Sequence, residues 1–298
     1  MQTTLPPFKP IELTDKALIT DFNHRFTPVS CEYSFANLFC WRNIYRLSWT
    51  LHQDRLLIHD GVEGYTLMPL GPTPTPSELS QLSCALIKAG KPGNLSLVPL
   101  DYAARHPELS HHYTLTEDRD FADYLYHTEA LVELKGKKLH KKRNLVSQFH
   151  RNYPNARVAP MTSQVRPLCL DFAKRLYQEN GTPSQTNIEE HQALKEAFRH
   201  FDPLDLEGIA ILVDEAVVAF AVFSPLNTST HDIHFEKSDH GFKGVSQAIN
   251  QETAKHLTGR CTLVNREQDL GIPGLRKAKL SYVPAQLYTT LTLSWGQA

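Results

Sequence analysis

The chain has no apolar run approaching the ~18 residues of a membrane span, and its opening stretch, MQTTLPPFKPIEL, has no signal-peptide core. A cytoplasmic protein without a membrane span is therefore expected. There is no charge excess either. The 31 lysines and arginines face 32 aspartates and glutamates, for a net charge of −1. No overall basic field advertises nucleic acid, so any polyanion site must be local. Cysteine is sparse: Cys31, Cys40, Cys84, Cys169 and Cys261 are odd in number, scattered and free of CxxC spacing, which fits reduced thiols. With no HExxH and no cysteine pair, no metal site is expected. No GxSxG elbow occurs, and no cysteine has a nucleophile's context, so covalent catalysis by the protein is not indicated.

What is present is globular. Hydrophobic residues make up 41% and charged residues 21% of 298 positions, enough for a large core or two domains. In the first half Ser34–Tyr45 reads as a helix, followed by strands near Tyr45–Leu51, Arg55–His59 and Tyr65–Pro69. The turn Gly71–Pro76 breaks the chain, and Ser77 caps a helix running to about Ala89. A strand near Leu95–Val98, a short helix from Asp101 and a strand pair at His112–Thr116 and Asp123–His127 follow. Lys137–Tyr153 reads as a joining helix stopped by Pro154. The second half has helices at Gln164–Glu179, with Gly181 as C-cap, and at Ile188–His200, with a Thr186–Glu189 capping box. A hairpin of Gly208–Val213 and Val217–Ser224 turns around Asp214–Glu215. Strand Asp232–Lys237, helix Val245–Leu257, strand Cys261–Val264, a helical turn at Pro273–Ala278 and strand Leu287–Leu293 complete the chain. The halves share one element order, which gives an α/β (α+β) chain with domains at 1–135 and 156–298 and a basic connecting helix at 136–155.

The densest chemistry lies in VNREQDLGIPGLRKAKLSYVP, Val264–Pro284. Arg266, Glu267, Asp269, Arg276, Lys277 and Lys279 crowd around two glycines and a proline just after an apolar strand. Charge of both signs at a strand end is how α/β proteins build ligand sites; a solvated, salt-bridged loop is the plainer alternative. In the basic run LKGKKLHKKRN (Leu134–Asn144), helical spacing puts Lys138 and Lys142 inside the apolar arc of Leu139, Val146, Phe149 and Tyr153. With Arg143 they would line a cleft for a phosphate-rich ligand, or else form a solvated helix end. In THDIHFEKSD (Thr230–Asp239), His231 and Ile233 share one strand face, with His234 and Glu236 on the other. The two histidines then cannot chelate one metal. Glu236 and Lys237 are candidates to take a proton from an attacking amine or hold a substrate ammonium, or they form a simple ion pair. In HGFKGVSQAIN (His240–Asn250), Gly241 and Gly244 precede a helix start where free N–H groups would favour pyrophosphate, or they only make a turn. The aromatic YSFANLFCWRNIY reads as core, with Arg42 and Tyr45 able to reach a site from one face.

The series SFANLFCWRNIY, GKKLHKKRN, HFEKSD, NREQDLG and GLRKAKLSY resembles a bacterial family of uncharacterised proteins grouped with the C-terminal domain of phosphatidylglycerol lysyltransferases. The resemblance covers nearly the whole chain, and the C-terminal motif is its most specific part. It implies two tandem GNAT-like acyltransferase domains, with mixed, mainly antiparallel sheets flanked by helices. Relatives with this doubled fold include aminoacyl-phospholipid synthases, Fem-type aminoacyltransferases and leucyl/phenylalanyl-tRNA-protein transferase. They move an aminoacyl group from charged tRNA to an amine or hydroxyl. The synthases end on a basic residue followed by an aromatic and a proline, which Lys279, Tyr282 and Pro284 resemble. That ending implies Lys279 as the cation that stabilises the carbonyl oxyanion or the tRNA 3′ ribose–phosphate. Lys277 alternates with it on the same side if the segment is extended. Asn265–Gly271 differs in composition from the matching strand end of the synthases, and with no membrane segment expected here, a lipid acceptor is not favoured.

The first reading is a transferase without a tightly bound cofactor that uses aminoacyl-tRNA as co-substrate. Glu236 or Asp269 would orient or deprotonate an acceptor whose identity the sequence does not encode. Arg266, Lys277 and Lys279 would meet donor phosphates and the oxyanion, with Asn250, Asn265, Arg276 and Tyr282 beside them. Lys138, Lys142, Arg143 and Lys237 would extend the cleft. The second reading is an N-acetyltransferase whose acyl-CoA lies on Gly241 and Gly244. The third is a non-catalytic binding module on the same fold. On the first reading, Lys279→Ala abolishes donor binding and changes stability by less than about 1 kcal/mol, as for a surface residue.

Overall fold

The computed structural model describes residues 4–179 and 184–296. The chain forms two compact units, each discontinuous in sequence. The first comprises Met1–Asp123, Gln268–Ile272 and Leu287–Ala298; the second comprises Tyr124–Glu267 and Pro273–Gln286. The segment expected to join the halves lies wholly inside the second unit, and the C-terminal strand belongs to the first.

The first unit holds strands β1 (Lys9–Pro10), β2 (Ser48–His52), β3 (Arg55–Asp60), β4 (Tyr65–Leu67), β5 (Asn94–Pro99) and β6 (Tyr113–Glu117). Its helices are α1 (Lys16–Phe26), α2 (Phe35–Trp41), α3 (Pro76–Lys88) and α4 (Leu100–Arg105). The second sheet runs through β7 (Asp123–His127), β8 (Arg157–Pro160), β9 (Glu207–Val213), β10 (Ala216–Pro225), β11 (Thr230–Ser238), β12 (Leu263–Asn265) and β13 (Gln286–Tyr288). Helices α5 (Thr128–Glu133), α6 (His140–Asn152), α7 (Val165–Glu179), α8 (Gln185–Arg199), α9 (Val245–His256) and α10 (Pro273–Leu280) belong to the second unit. Strand β14 (Thr290–Trp295) returns to the first.

The first sheet has the order β1-β2-β3-β4-β5-β14-β6. It is antiparallel except for β4 and β5, which run parallel on either side of α3 in the sequence. Leu57, Leu79, Leu86, Leu95, Val98 and Leu293 fill its core. Helix α3 starts two residues earlier than the sequence suggests: Thr75 is the N-cap, Pro76 opens the helix, and Glu78 closes a capping box on Thr75. Proline already has a helical φ and lacks the N–H that a first turn leaves unpaired, so Pro76 sets the start rather than Ser77.

The second sheet has the order β13-β7-β12-β11-β10-β9-β8. Its centre is β10, AVVAFAVFSP, a nearly continuous apolar run buried from Val217 to Ser224. A strand covered on both faces needs such a run. Phe172 of α7 and Phe198 of α8 meet Phe220, and His256 of α9 packs on Phe223. The expected hairpin forms: Val213 pairs with Ala216 across Asp214 and Glu215, whose φ values of 48° and 63° suit a tight two-residue turn. Helix α8 is capped by a Ser184–Asn187 box and not by Thr186–Glu189; Gly181 lies outside the described residues. The helical turn at Pro273 is a full helix, α10, and the expected last strand is two strands, β13 and β14, in different sheets.

Two core histidines tie stability to acidity. Burial, with a smaller push from Lys91, holds His59 down to about 4. Burial, then Arg260, holds His231 down to about 4. An unfolded histidine titrates near 6.5, so below that pH the unfolded chain binds protons that the folded one refuses. Stability is expected to be intact above pH 6.5 and to fall between about 6.5 and 4, at up to roughly 1.4 kcal/mol per pH unit for each histidine. Urea midpoints at pH 7 and pH 5 check this: His231→Leu should lose less between the two than the native chain.

Candidate functional site

In the second unit, β11 and β12 are parallel neighbours for only three residue pairs: Thr230 with Leu263, His231 with Val264 and Asp232 with Asn265. Beyond them the strands part. The chain after β12 stays with β7, where the Arg266 N–H donates to the Tyr124 carbonyl at 2.9 Å. Strand β11 carries a bulge. Phe235 pairs with Val222 and Ile233 with Phe223, leaving His234 as the extra residue, and a bulge bends its strand away from the ladder. The result is a notch between two parallel strands. The bulge also reverses the strand's facing. Glu236 pairs with Ala221 and turns to the α9 side, which Phe223 and Ile233 share. A regular strand would have placed Glu236 with His234, opposite Ile233.

Side chains cross the notch. Arg266 Nη2 lies 2.9 Å from Glu236 Oε1, with only 12% and 19% of the two side chains exposed. With its amide oxygen turned toward the guanidinium, Asn250 of α9 accepts from Arg266 Nη1 at 3.1 Å and Nε at 3.2 Å. The guanidinium carbon stands 5.1 Å from the Tyr282 ring centroid and 5.9 Å from that of Tyr126. Burial opposes the Arg266 charge, but Glu236 leads the groups that outweigh it and hold the guanidinium firmly protonated. Burial pushes the phenols of Tyr126 and Tyr282 above the usual range. Lys142 of α6 places its ammonium 4.3 Å from the Tyr282 ring centroid. Burial first, then the Arg266 charge, holds that ammonium below the usual lysine range.

Arg266, Glu236, Asn250, Tyr282 and Lys142 therefore converge, Lys279 and Asn265 hold the backbone of the same turn, and the other sequence candidates go elsewhere. Lys279 is buried in α10, and its ammonium donates to the Arg266 carbonyl at 2.6 Å. The Tyr126 hydroxyl in turn donates to the Lys279 carbonyl at 2.8 Å. Because residues 273–280 are helical rather than extended, Lys277 does not share the side of Lys279 and is exposed, while Arg276 is half-buried. Asn265 is buried, and its Oδ1 accepts the Glu267 N–H at 2.7 Å. Lys138 is exposed ahead of α6. Arg143 donates to the Leu134 and Gly136 carbonyls and so clips the turn before α6. Lys237 pairs with Glu190 of α8 at 2.7 Å, on the far face of the sheet. Asp269 belongs to the first unit, where it is fully buried and paired with Arg119 at 3.1 Å.

Gly241 and Gly244 make no open cradle. Gly244 has φ +92°, and a Cβ there would overlap the Leu145 carbonyl oxygen of α6 and press on Phe149. Glycine is needed so that α6 and α9 can approach. The Gly241 N–H is taken by Asp239 Oδ1 at 2.9 Å, and the Phe242 N–H by the Asp239 carbonyl at 3.0 Å. Ser246 Oγ meets Ser238 Oγ at 2.6 Å. A cleft of about 670 Å³ beside α3 in the first unit contains none of these residues.

Sequence reasoning weighed His234 only as a metal ligand, left Glu267 as one of the charges of its loop, and passed over Tyr126. His234 Nδ1 lies 3.1 Å from Glu267 Oε1, and His234 Nε2 lies 2.8 Å from Ser224 Oγ. Glu267 has φ +55°, an uncommon left-handed backbone for a residue other than glycine. No sequence pattern announces either the bulge or this turn.

The family model for the C-terminal region of phosphatidylglycerol lysyltransferases matches residues 24–290. A conserved protein of unknown function from Bacteroides thetaiotaomicron is 32% identical, with a TM-score of 0.89 over 97% of this chain and 99% of that one. The lysylphosphatidylglycerol synthase structure (L-PGS) of Bacillus licheniformis shares 13% identity at a TM-score of 0.65, over 95% and 93% of the two chains. A curated relative, an uncharacterized protein of Mycoplasmoides gallisepticum, is 26% identical over 168 residues, which is 54% of this chain and only 52% of that protein. FemX (TM-score 0.59) and a tandem GNAT protein of clavulanic acid biosynthesis (TM-score 0.50) share the fold at 9% identity each. The fold is therefore a tandem pair of GNAT-like domains. Among the described residues no helix is long and apolar enough to cross a membrane.

The position of Lys279 changes what its removal should do. A buried ammonium bonded to a backbone carbonyl supports the Arg266 turn, so Lys279→Ala should cost about 1–3 kcal/mol. Exposed Lys277→Ala should stay within about 0.5 kcal/mol. Equilibrium urea unfolding of both variants measures the difference.

Proposed function

Because the chain belongs to the family of phosphatidylglycerol lysyltransferase C-terminal domains, we propose that it transfers an aminoacyl group from the 3′ ester of a charged tRNA to an amine or hydroxyl by direct attack. The family and fold are those of acyltransferases; the donor is the finer part of the reading. One observation carries it. Two cations, Arg266 and Lys142, flank the Tyr282 ring against one paired carboxylate, Glu236, while Glu267 beside them is bonded to His234 instead. The surplus positive charge sits in a half-buried, aromatic-walled place, where it would meet a donor phosphate or the oxyanion of the attacked ester.

In the reaction the acceptor heteroatom attacks the ester carbonyl and its bond to carbon forms. The carbon–oxygen bond to the ribose then breaks, and the acceptor's proton ends on the leaving oxygen. Arg266, fixed by Glu236 and Asn250, presents N–H donors in a set direction, so little reorganisation is needed as negative charge develops. Lys142, mobile on its four-carbon stem, would follow the donor phosphate. The start of α9 supports acyl-CoA less well: Asp239 takes the N–H groups of Gly241 and Phe242, and α6 packs closely on Gly244.

Filter binding at low salt, with charged tRNA and acetyl-CoA as separate ligands, tests the donor. Charged tRNA is expected to bind, and Lys142→Ala to weaken it about tenfold, near 1.4 kcal/mol, without loss of fold. Binding of acetyl-CoA and not of charged tRNA would overturn the reading in favour of N-acetyl transfer.

A further inference from the structure

The carboxylates first named as candidate bases are both committed to guanidinium groups, Glu236 to Arg266 and Asp269 to Arg119. Each of these carboxylates thus has the task of fixing a guanidinium in place. Glu267 differs, because its partner at the notch is an imidazole. We propose that Glu267, hydrogen-bonded to His234 and through it to Ser224, is the group that takes the acceptor's proton; the assignment rests on the acyl-transfer reading above.

Three features argue for it. Ser224 Oγ, His234 Nε2, His234 Nδ1 and Glu267 Oε1 form an unbroken chain at 2.8 and 3.1 Å. Only one neutral tautomer uses both contacts, with His234 Nδ1–H donating to Glu267 and the Ser224 hydroxyl donating to Nε2. Exposure gives the chain a direction. The His234 side chain is 4% exposed and that of Glu267 is 22%, and Ser224 is buried. Glu267 is therefore the end of the chain that solvent reaches most. Finally, Glu267 is held in place. Its backbone is left-handed and strained for a residue other than glycine, and it is kept there by Asn265 Oδ1 on its N–H and by its carbonyl, which accepts from Tyr124 N–H at 3.4 Å. Glu267 also follows directly on Arg266, so the proton acceptor and the oxyanion donor leave adjacent positions of one pinned turn.

The step balances as follows. As the acceptor nitrogen bonds to the carbonyl carbon, its N–H proton passes to the Glu267 carboxylate. His234 and Ser224 keep their hydrogen bonds and orient the carboxylate. When the carbon–oxygen bond to the ribose breaks, Glu267 returns the proton to the leaving oxygen. No redox partner is involved.

Single-turnover transfer from charged tRNA to a diamine acceptor, with donor affinity measured in parallel, tests the role of Glu267. Glu267→Gln is expected to slow transfer at least 100-fold and to leave donor affinity within about twofold. Transfer within threefold of the native rate overturns the proposal. So does a parallel loss of donor affinity, which would make Glu267 a prop for Arg266, and so does covalent capture of Ser224 by a fluorophosphonate, which would make the chain a nucleophile triad. A native protein that binds charged tRNA and transfers nothing also overturns it. If the native protein does not bind charged tRNA, the donor reading fails and nitrogen-15 spectra of His234 decide on the dyad. A ring protonated at Nδ1 whose resonance moves in Glu267→Gln supports it; a ring protonated at Nε2 cannot donate to Glu267 and overturns it.

Discussion

The buried ion pair of Arg266 and Glu236 is the contact on which the geometry of the second unit depends. Taking two charges out of water costs several kcal/mol per ion, recovered only when the remaining donors find acceptors. Glu236 and Asn250 meet the guanidinium from two elements, and the rings of Tyr126 and Tyr282 flank it. The backbone is held as firmly as the side chain. Lys279 binds the Arg266 carbonyl, and Asn265 binds the next N–H. The three residues Asn-Arg-Glu are thus one turn pinned from strand, helix and neighbouring loop. Lys279, which resembles a family's active cation, clamps this turn through the Arg266 carbonyl.

Much of this can be read from residue order because local physics decides it. The apolar run of β10 demands cover on both faces, the Asp-Glu pair makes a two-residue hairpin, and the inward spacing of Lys142 on α6 anticipates its place over Tyr282. The motif after β12 was visible as excess charge beside a strand. What stayed hidden depends on partners distant in sequence. The bulge at His234 exists only relative to β10 and reverses the facing of Glu236. The helical state of residues 273–280 separates Lys277 from Lys279, where an extended segment would align them. The commitment of Asp269 to Arg119 joins residues 150 positions apart in the first unit.

Each unit carries a parallel strand pair with a helix between its strands in the sequence, and in each a carboxylate takes a backbone N–H near that helix. In the first, Glu78 accepts the Thr75 N–H at 2.8 Å and pairs with Arg55 at 3.1 Å, so a carboxylate stands at the start of α3. In the second, Asp239 serves the loop before α9, and α6 packs on Gly244. Backbone N–H groups at helix starts are a common device for phosphate recognition. Where such N–H groups are already used within the fold, as at Gly241 and Phe242, side-chain cations are the other means of meeting an anion, and one correspondingly sensitive to salt.

The order of the first sheet has a consequence for how the protein is made. Strand β14 lies between β5 and β6, antiparallel to both. Residues 290–295 are synthesised after the whole of Tyr124–Glu267. Until they emerge, β5 and β6 have no shared neighbour, and two open strand edges face the solvent while the second unit takes shape. Pairing across so long a separation is slow, because the loop must close before any contact rewards it. The first sheet therefore stays unfinished, its β5 edge open to mispairing, until residues 290–295 are supplied between β5 and β6.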